Sequence, residues 1–150
     1  MCLLEDEEAN GFTVREALSN STCLSADVGV VYDPNFADTC DKRNTAFLNG
    51  GLMMTKYTGS RGKGGASDAS AELVAKIRGI FHDNGVLWQM GELGKVDCGG
   101  GGTIAQYVAN LDVDVIDCGV PLMSMHSPYE VAGKLDIYMA YKGYHAFMNA

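Results

Sequence analysis

Apolar and polar positions along the chain switch repeatedly between a strand-like and a helix-like period. VREALSN, residues 14–20, reads as the end of a helix, and TCLSADVGVV, residues 22–31, is a compact run of small and β-branched residues that predicts a buried strand. DPNFADTCDKRNTAFLNGG, residues 33–51, has turn chemistry and little periodicity, which predicts a surface loop. LMMTKY, residues 52–57, predicts a short strand, followed by the glycine-rich TGSRGKGGASD loop with Ser67 as a cap. From Asp68 the set Ala69, Leu73, Ile77 and Ile80 or Phe81 recurs at helical spacing, Lys76 and Arg78 fall off that stripe, and Gly85 marks the stop. VLWQMGEL, residues 86–93, predicts the next strand, and CGGGGTIAQYVANL a second glycine loop with a short helix. VDVIDCGVPLMSM, residues 113–125, predicts a strand broken at Gly-Val-Pro. The alternation of strand, loop and helix predicts an α/β fold, a sheet covered by helices.

The last junction carries the most distinctive local chemistry. In GVPLMSMHSPYE, residues 119–130, Ser127 suits an N-cap, Pro128 the first helical position, and Glu130 a reach back to the cap. A helix is therefore expected from Ser127, with Val131, Leu135, Tyr138, Tyr141 or Lys142, His145 and Met148 along its repeat. His126 then sits at a strand-to-helix junction, the kind of place where α/β proteins bind ligands. Spacing alone gives it no metal role, because neither an HExxH motif nor a paired-cysteine pattern accompanies it.

Composition narrows the partners. A chain of 150 residues that is 47% hydrophobic is of ordinary single-domain size. Its 11 basic and 19 acidic residues give a net charge of −8, which argues against nucleic acid or an anionic membrane and for a small molecule or another protein. Cys2, Cys23, Cys40, Cys98 and Cys118 are odd in number and scattered without a CxxC, so a disulfide framework is not expected and a reducing cytoplasm is. MCLLEDEEAN is acidic where a secretory leader would be basic, and a soluble chain is expected.

Neither glycine loop matches a nucleotide signature. In GSRGKGG, Gly59, Gly62 and Lys63 are too closely spaced for a phosphate loop, and Gly64 stands where Ser or Thr is needed. A self-contained small-anion site there is the weakest of the functional readings. CGGGGT lacks GxGxxG spacing, although Asp117 lies near the distance of a ribose-binding acid. Its glycines serve either a tight turn or the close approach of a substrate backbone.

Four ordered segments, SADV, KYTGSRGKGG, ELGKVDCGGGGTIAQ and GVPLMSMHSPYEVAGKLDIYMAYKGYHAF, together resemble the carboxyl-terminal part of the zinc aminopeptidases that include aspartyl aminopeptidase and vacuolar aminopeptidase I. The resemblance runs from about residue 20 to residue 149 and is most specific at MHSPYE. It implies a three-layer α/β/α catalytic domain, a two-zinc site that removes amino-terminal residues from peptides, and assembly into a shell of subunits. Carried over by position, Asp27 and His126 become ligands of one zinc, Lys56 a residue of the substrate pocket, and Gly100 and Gly101 part of the pocket wall beside the metals. The histidine that follows the metal-binding aspartate in the aspartyl branch is replaced here by Gly29, Val30, Val31 and Tyr32, so the resemblance leaves substrate preference open.

The family's early histidine, bridging aspartate and Glu-Glu pair, whose first member is the general base, should precede Asp27, as should an inserted dimerisation domain. Glu7-Glu8 lies in an acidic EDEEAN context without glycine-rich surroundings and reads as a solvated tail. Residues 1–150 are accordingly expected to be the carboxyl-terminal part of a metallo-aminopeptidase catalytic domain, inactive alone and supplying ligands to one zinc. Two functions compete: part of an aminopeptidase completed by a complementary half or by homo-oligomerisation, and a non-catalytic remnant that assembles with a partner through an uncovered sheet edge.

Overall fold

The structure, a computed structural model, describes residues 11–60, 64–95 and 98–150. In chain order the elements are α1 (Gly11–Ser19), β1 (Thr22–Ser25), β2 (Gly29–Val30), a 3-10 segment (Pro34–Thr39), β3 (Leu52–Thr55), β4 (Tyr57–Ser60), β5 (Gly64–Asp68), α2 (Ala71–Asp83), β6 (Trp88–Met90), α3 (Ala105–Ala109), β7 (Asp114–Gly119), β8 (Pro121–Met123), β9 (Val131–Ala132) and α4 (Lys134–Met148). Among the described residues the main sheet has the strand order β1-β7-β3-β6. β1 runs parallel to β7, β7 antiparallel to β3, and β3 parallel to β6.

The two faces of this sheet bury different sets. Leu52 and Met54 of β3 and Ile116 and Cys118 of β7 meet Leu73, Ile77 and Phe81 of α2 and Ala140 of α4. Val115, on the other face of β7, and Val113, just before the strand, pack with Ala105 of α3 and Leu18 of α1. A sheet flanked by helices on both sides is the expected α/β/α arrangement. β3 is buried at every position, which explains a sequence apolar throughout rather than alternating.

Four expectations about elements are corrected. The run from Thr22 to Val31 is two strands, because β2 leaves the main sheet to pair in parallel with β8, Gly29 opposite Pro121 and Val30 opposite Leu122. The TGSRGKGGASD stretch contributes two antiparallel strands, β4 and β5, with Tyr57 opposite Asp68 and Thr58 opposite Ser67. Ser67 is thus a buried strand residue, and α2 is capped three residues later by Ser70, whose Oγ accepts the N–H of Leu73 at 3.1 Å. The predicted α2 stripe is otherwise the observed one.

The third correction concerns Ser127. Its hydroxyl accepts the Tyr129 N–H and donates to the Tyr129 carbonyl, while Glu130 Oε1 accepts the His126 N–H at 2.6 Å. These local bonds close a turn rather than open a helix. Val131 and Ala132 then pair with β8 as β9, and their extended backbone delays the helix to Lys134. The fourth concerns which face α4 buries. The large residues expected to point inward, among them Leu135, Tyr138, Tyr141 and Met148, are exposed, and the buried residues are Asp136, Ala140, Gly143 and Ala146. Small side chains let α4 approach β3 closely: a Cβ on Gly143 would stand 2.7 Å from Leu52 Cδ2.

Candidate metal and substrate site

Asp27 and His126 stand at opposite ends of one paired segment. Asp27 lies in the short connection between β1 and β2, and His126 follows β8, the parallel neighbour of β2. Both residues are exposed. One carboxylate oxygen of Asp27, Oδ1, accepts the N–H of Val28 at 2.9 Å. The backbone of Asp27 is held by β7, since a Cβ on Gly119 would come within 1.5 Å of the Asp27 carbonyl oxygen. Only glycine permits that contact.

His126 has a φ of +67° and Ser124 a φ of +58°, both in the left-handed region that non-glycine residues seldom adopt. The Glu130 carboxylate and the Ser127 N–H to Ser124 carbonyl bond (3.0 Å) hold this turn against its strain. The sequence marks for a helix cap are therefore the marks of a rigid histidine-presenting turn.

A small cavity of about 30 Å³, room for about one water molecule, opens between Asp27, Thr55, Gly101, Thr103 and Asp117, with Met53 and Leu93 making much of its wall apolar. Gly101 is thus beside Asp27, and its neighbour Gly100 has a φ of +121°, which favours glycine. Lys56 follows Thr55 in the chain, and its ammonium is paired with Asp68 at the base of the β4–β5 hairpin. Lys63, in the first glycine loop, and Glu7-Glu8 lie outside the described residues.

Asp117 is the acid that periodicity did not single out. It is 6% exposed, in the middle of β7 opposite Ser25 of β1. Its Oδ2 accepts the Thr103 hydroxyl at 3.1 Å, whereas Oδ1 and the buried Ser25 hydroxyl have no hydrogen-bond partner among the described residues. Burial pushes the Asp117 carboxyl above its ordinary range and the charge of Asp27 adds to this, while the Ser25 and Thr103 hydroxyls oppose it. Ser25 is near enough to act electrostatically without meeting hydrogen-bond geometry. An acid inside the apolar run VDVIDCGV was the available signal, because carboxylates are seldom fully buried.

Beside the cavity an open groove of about 540 Å³ runs along edge strand β1, lined by Cys23, Leu24, Ala26, Ile104 and Val108. Among the described residues no group of three or more His, Cys, Asp and Glu side chains is placed to hold a metal ion. Carboxylate and imidazole are both zinc donors, so Asp27 and His126 fit a zinc site as a partial set. Among the described residues no helix is long and apolar enough to cross a membrane.

Comparison with known proteins points to a family of zinc enzymes. The family model described as aminopeptidase I zinc metalloprotease (M18) matches residues 2–148. A probable M18 family aminopeptidase 1 from Clostridium acetobutylicum is 52% identical over 136 residues, 91% of this chain and 29% of the relative. The crystal structure of aminopeptidase I from Clostridium acetobutylicum superposes with a TM-score of 0.87 at 51% identity, covering 91% of this chain and 30% of that one. The crystal structure of yeast aminopeptidase 1 shares the fold at a TM-score of 0.68 and 22% identity, over 91% of this chain and 29% of its own. The chain thus spans about three-tenths of the length of the relatives it matches.

Proposed function

The chain belongs to the aminopeptidase I zinc metalloprotease (M18) family, and from that premise we propose that it is the carboxyl-terminal part of a catalytic domain that hydrolyses amino-terminal residues from peptides. In this reading Asp27 and His126 hold one of two zinc ions, and the remaining ligands and the general-base glutamate come from outside residues 1–150. The observation that carries it is the match of residues 2–148 to a zinc aminopeptidase family, supported by a small cavity that Asp27 lines together with Gly101 and Thr103. Two proposed donors fall short of the three or more protein ligands of a catalytic zinc, which supports a site completed by other residues.

Zinc, when bound, supplies a Lewis acid that polarises the scissile carbonyl. The chain's own residues orient. Gly119 fixes the backbone of Asp27, and Glu130 fixes that of His126. In this reading Gly100 and Gly101 form part of the pocket wall along which a substrate backbone runs, Gly101 itself lying close against Leu93. In this reading Lys56, next in the chain to the cavity-lining Thr55, contributes a cation to the substrate pocket, in competition with its pairing to Asp68.

The groove along β1 and the exposed Ile137, Tyr138, Tyr141 and Met148 of α4 support a partner that covers them, a complementary catalytic half or further copies in a homo-oligomer. The same surfaces support the second reading, a non-catalytic remnant docked on such a partner. Neither nucleic acid nor membrane is part of either reading, and the scattered cysteines favour the cytoplasm.

Reconstitution separates the two. We expect the purified chain with added zinc to lack substantial aminopeptidase activity. Joining it to the part of the Clostridium acetobutylicum relative outside the matched segment should give activity that Asp27→Ala or His126→Ala abolishes. Robust, chelator-sensitive hydrolysis by the chain alone, or an inactive reconstituted enzyme, contradicts the proposal.

A further inference from the structure

The run Gly99–Gly102 has no side chain with which to fix its own path, and glycine has more backbone freedom to lose than any other residue. Its position is therefore set by ties at its ends and to its carbonyls. At its start the Gly99 N–H donates to the Lys95 carbonyl at 2.7 Å, and on one side the Gly59 N–H donates to the Gly101 carbonyl at 3.1 Å. On the other, the Thr103 hydroxyl donates to Asp117 Oδ2 at 3.1 Å and accepts the Ala105 N–H at 3.2 Å. One hydroxyl thus joins the loop, the first turn of α3 and the centre of β7.

Asp117 is a firm anchor for this purpose. β7 is hydrogen-bonded on one side to β1 and on the other to β3. Burying a carboxyl there carries a desolvation cost, and the Thr103 bond recovers part of it. Apolar residues would fill the strand interior without that cost. Gly101, Thr103 and Asp117 line the same small cavity as Asp27, so a shift in the tie displaces the loop where it borders the proposed metal ligand.

We propose that Asp117, acting through Thr103, is a positioning residue that fixes the path of the CGGGGT loop and thereby sets affinity for the substrate backbone passing beside Gly101. This rests on the aminopeptidase reading above. The role is in binding rather than in the bond-breaking step, because Asp117 is buried in β7 and reaches the loop through the Thr103 hydroxyl.

The test uses the full chain joined to the complementary part of the Clostridium acetobutylicum relative, assayed on an unblocked dipeptide amide. Thr103→Val removes the donor while keeping the shape, and is expected to raise KM about tenfold, the loss of one hydrogen bond to a carboxylate, with kcat within about twofold. Thr103→Ser should restore KM. Asp117→Asn keeps an oxygen acceptor and should raise KM less than Asp117→Ala. Hydrogen exchange on the isolated chain should show faster amide exchange at residues 99–106 in Thr103→Val and unchanged exchange in β7. An active wild-type fusion whose Thr103→Val variant keeps its KM, or loses kcat alone, overturns this inference and leaves the aminopeptidase reading intact. An inactive wild-type fusion overturns both. Should Thr103→Val fail to fold, the comparison of Asp117→Asn with wild type decides, and equal KM in both Asp117 variants and wild type contradicts the inference.

Discussion

Asp27 and Gly119 meet backbone to backbone: a Cβ at Gly119 would lie 1.5 Å from the Asp27 carbonyl oxygen and 2.5 Å from its carbonyl carbon. The end of β7 thereby sets where the connection between β1 and β2 can run, and with it where the Asp27 carboxylate points. Gly119→Ala is expected to push this connection away. Thermal denaturation should show a loss of about 1–3 kcal/mol from the overpacking. Zinc titration of the reconstituted enzyme should show a tenfold or greater loss of affinity, as for other changes that misdirect a metal ligand. Zinc affinity equal to wild type in a folded Gly119→Ala variant would mean that this contact does not aim Asp27.

The turn around His126 makes a separate prediction. Glu130 Oε1 accepts the His126 N–H at 2.6 Å while His126 holds a φ of +67°. Glu130→Ala removes the acceptor and should weaken zinc binding by about tenfold, whereas Glu130→Gln, which retains an oxygen at the same reach, should stay near wild type. Competition with a chelating dye measures both. Equal affinities for the two variants would show that the hydrogen bond does not position the histidine.

Asp136 is fully buried at the start of α4 and accepts the N–H of Gly51 and of Asn49, each at 2.8 Å. These bonds tie α4 to the turn that begins β3. Asp136→Ala leaves two donors without partners and is expected to cost about 2–4 kcal/mol in urea denaturation. Asp136→Asn should cost less, since it keeps one acceptor. A loss under 1 kcal/mol for the alanine variant would place the cohesion of this junction elsewhere.

The alternation of strands and helices, the α2 stripe and the break at Gly-Val-Pro could all be read from the sequence, because each depends on contiguous residues. What escaped was set by partners distant in the chain. β2 leaves the main sheet only because β8 is there to receive it, and nothing in SADVGVV announces that. Ser127 and Glu130 carry the chemistry of a cap, but pairing of Val131 with Met123 keeps the backbone extended past them. On α4, large apolar residues are the usual signal of a buried face, yet Gly143 and the Asp136 anchor favour the face with small side chains. Asp27, His126, Lys56, Gly100 and Gly101 are legible through resemblance rather than through period or spacing. From the sequence Asp117 reads only as a ribose partner, since its tie to Thr103 exists only in the fold.

Tyr144 gives a pH dependence away from the site. Its hydroxyl donates to the Cys118 carbonyl at 3.1 Å, and burial, with a smaller contribution from Cys118, pushes its pKa up from 10.0 to about 12. The folded state therefore holds this proton more tightly than the unfolded chain. Its contribution to stability is fully present below pH 10.0 and is lost as pH rises through about 12. Tyr144→Phe should lower stability at neutral pH by about 1 kcal/mol and then fall less steeply than wild type across that alkaline window. Parallel curves for the two proteins would contradict the burial argument.

Anomalous scattering at the zinc edge, from crystals of the chain joined to its complementary catalytic half, tests the central assignment most directly. The account predicts one zinc with both the Asp27 carboxylate and the His126 imidazole at about 2.0–2.2 Å, and a second zinc held by residues outside this chain. Zinc bound with neither Asp27 nor His126 in its coordination sphere would contradict it.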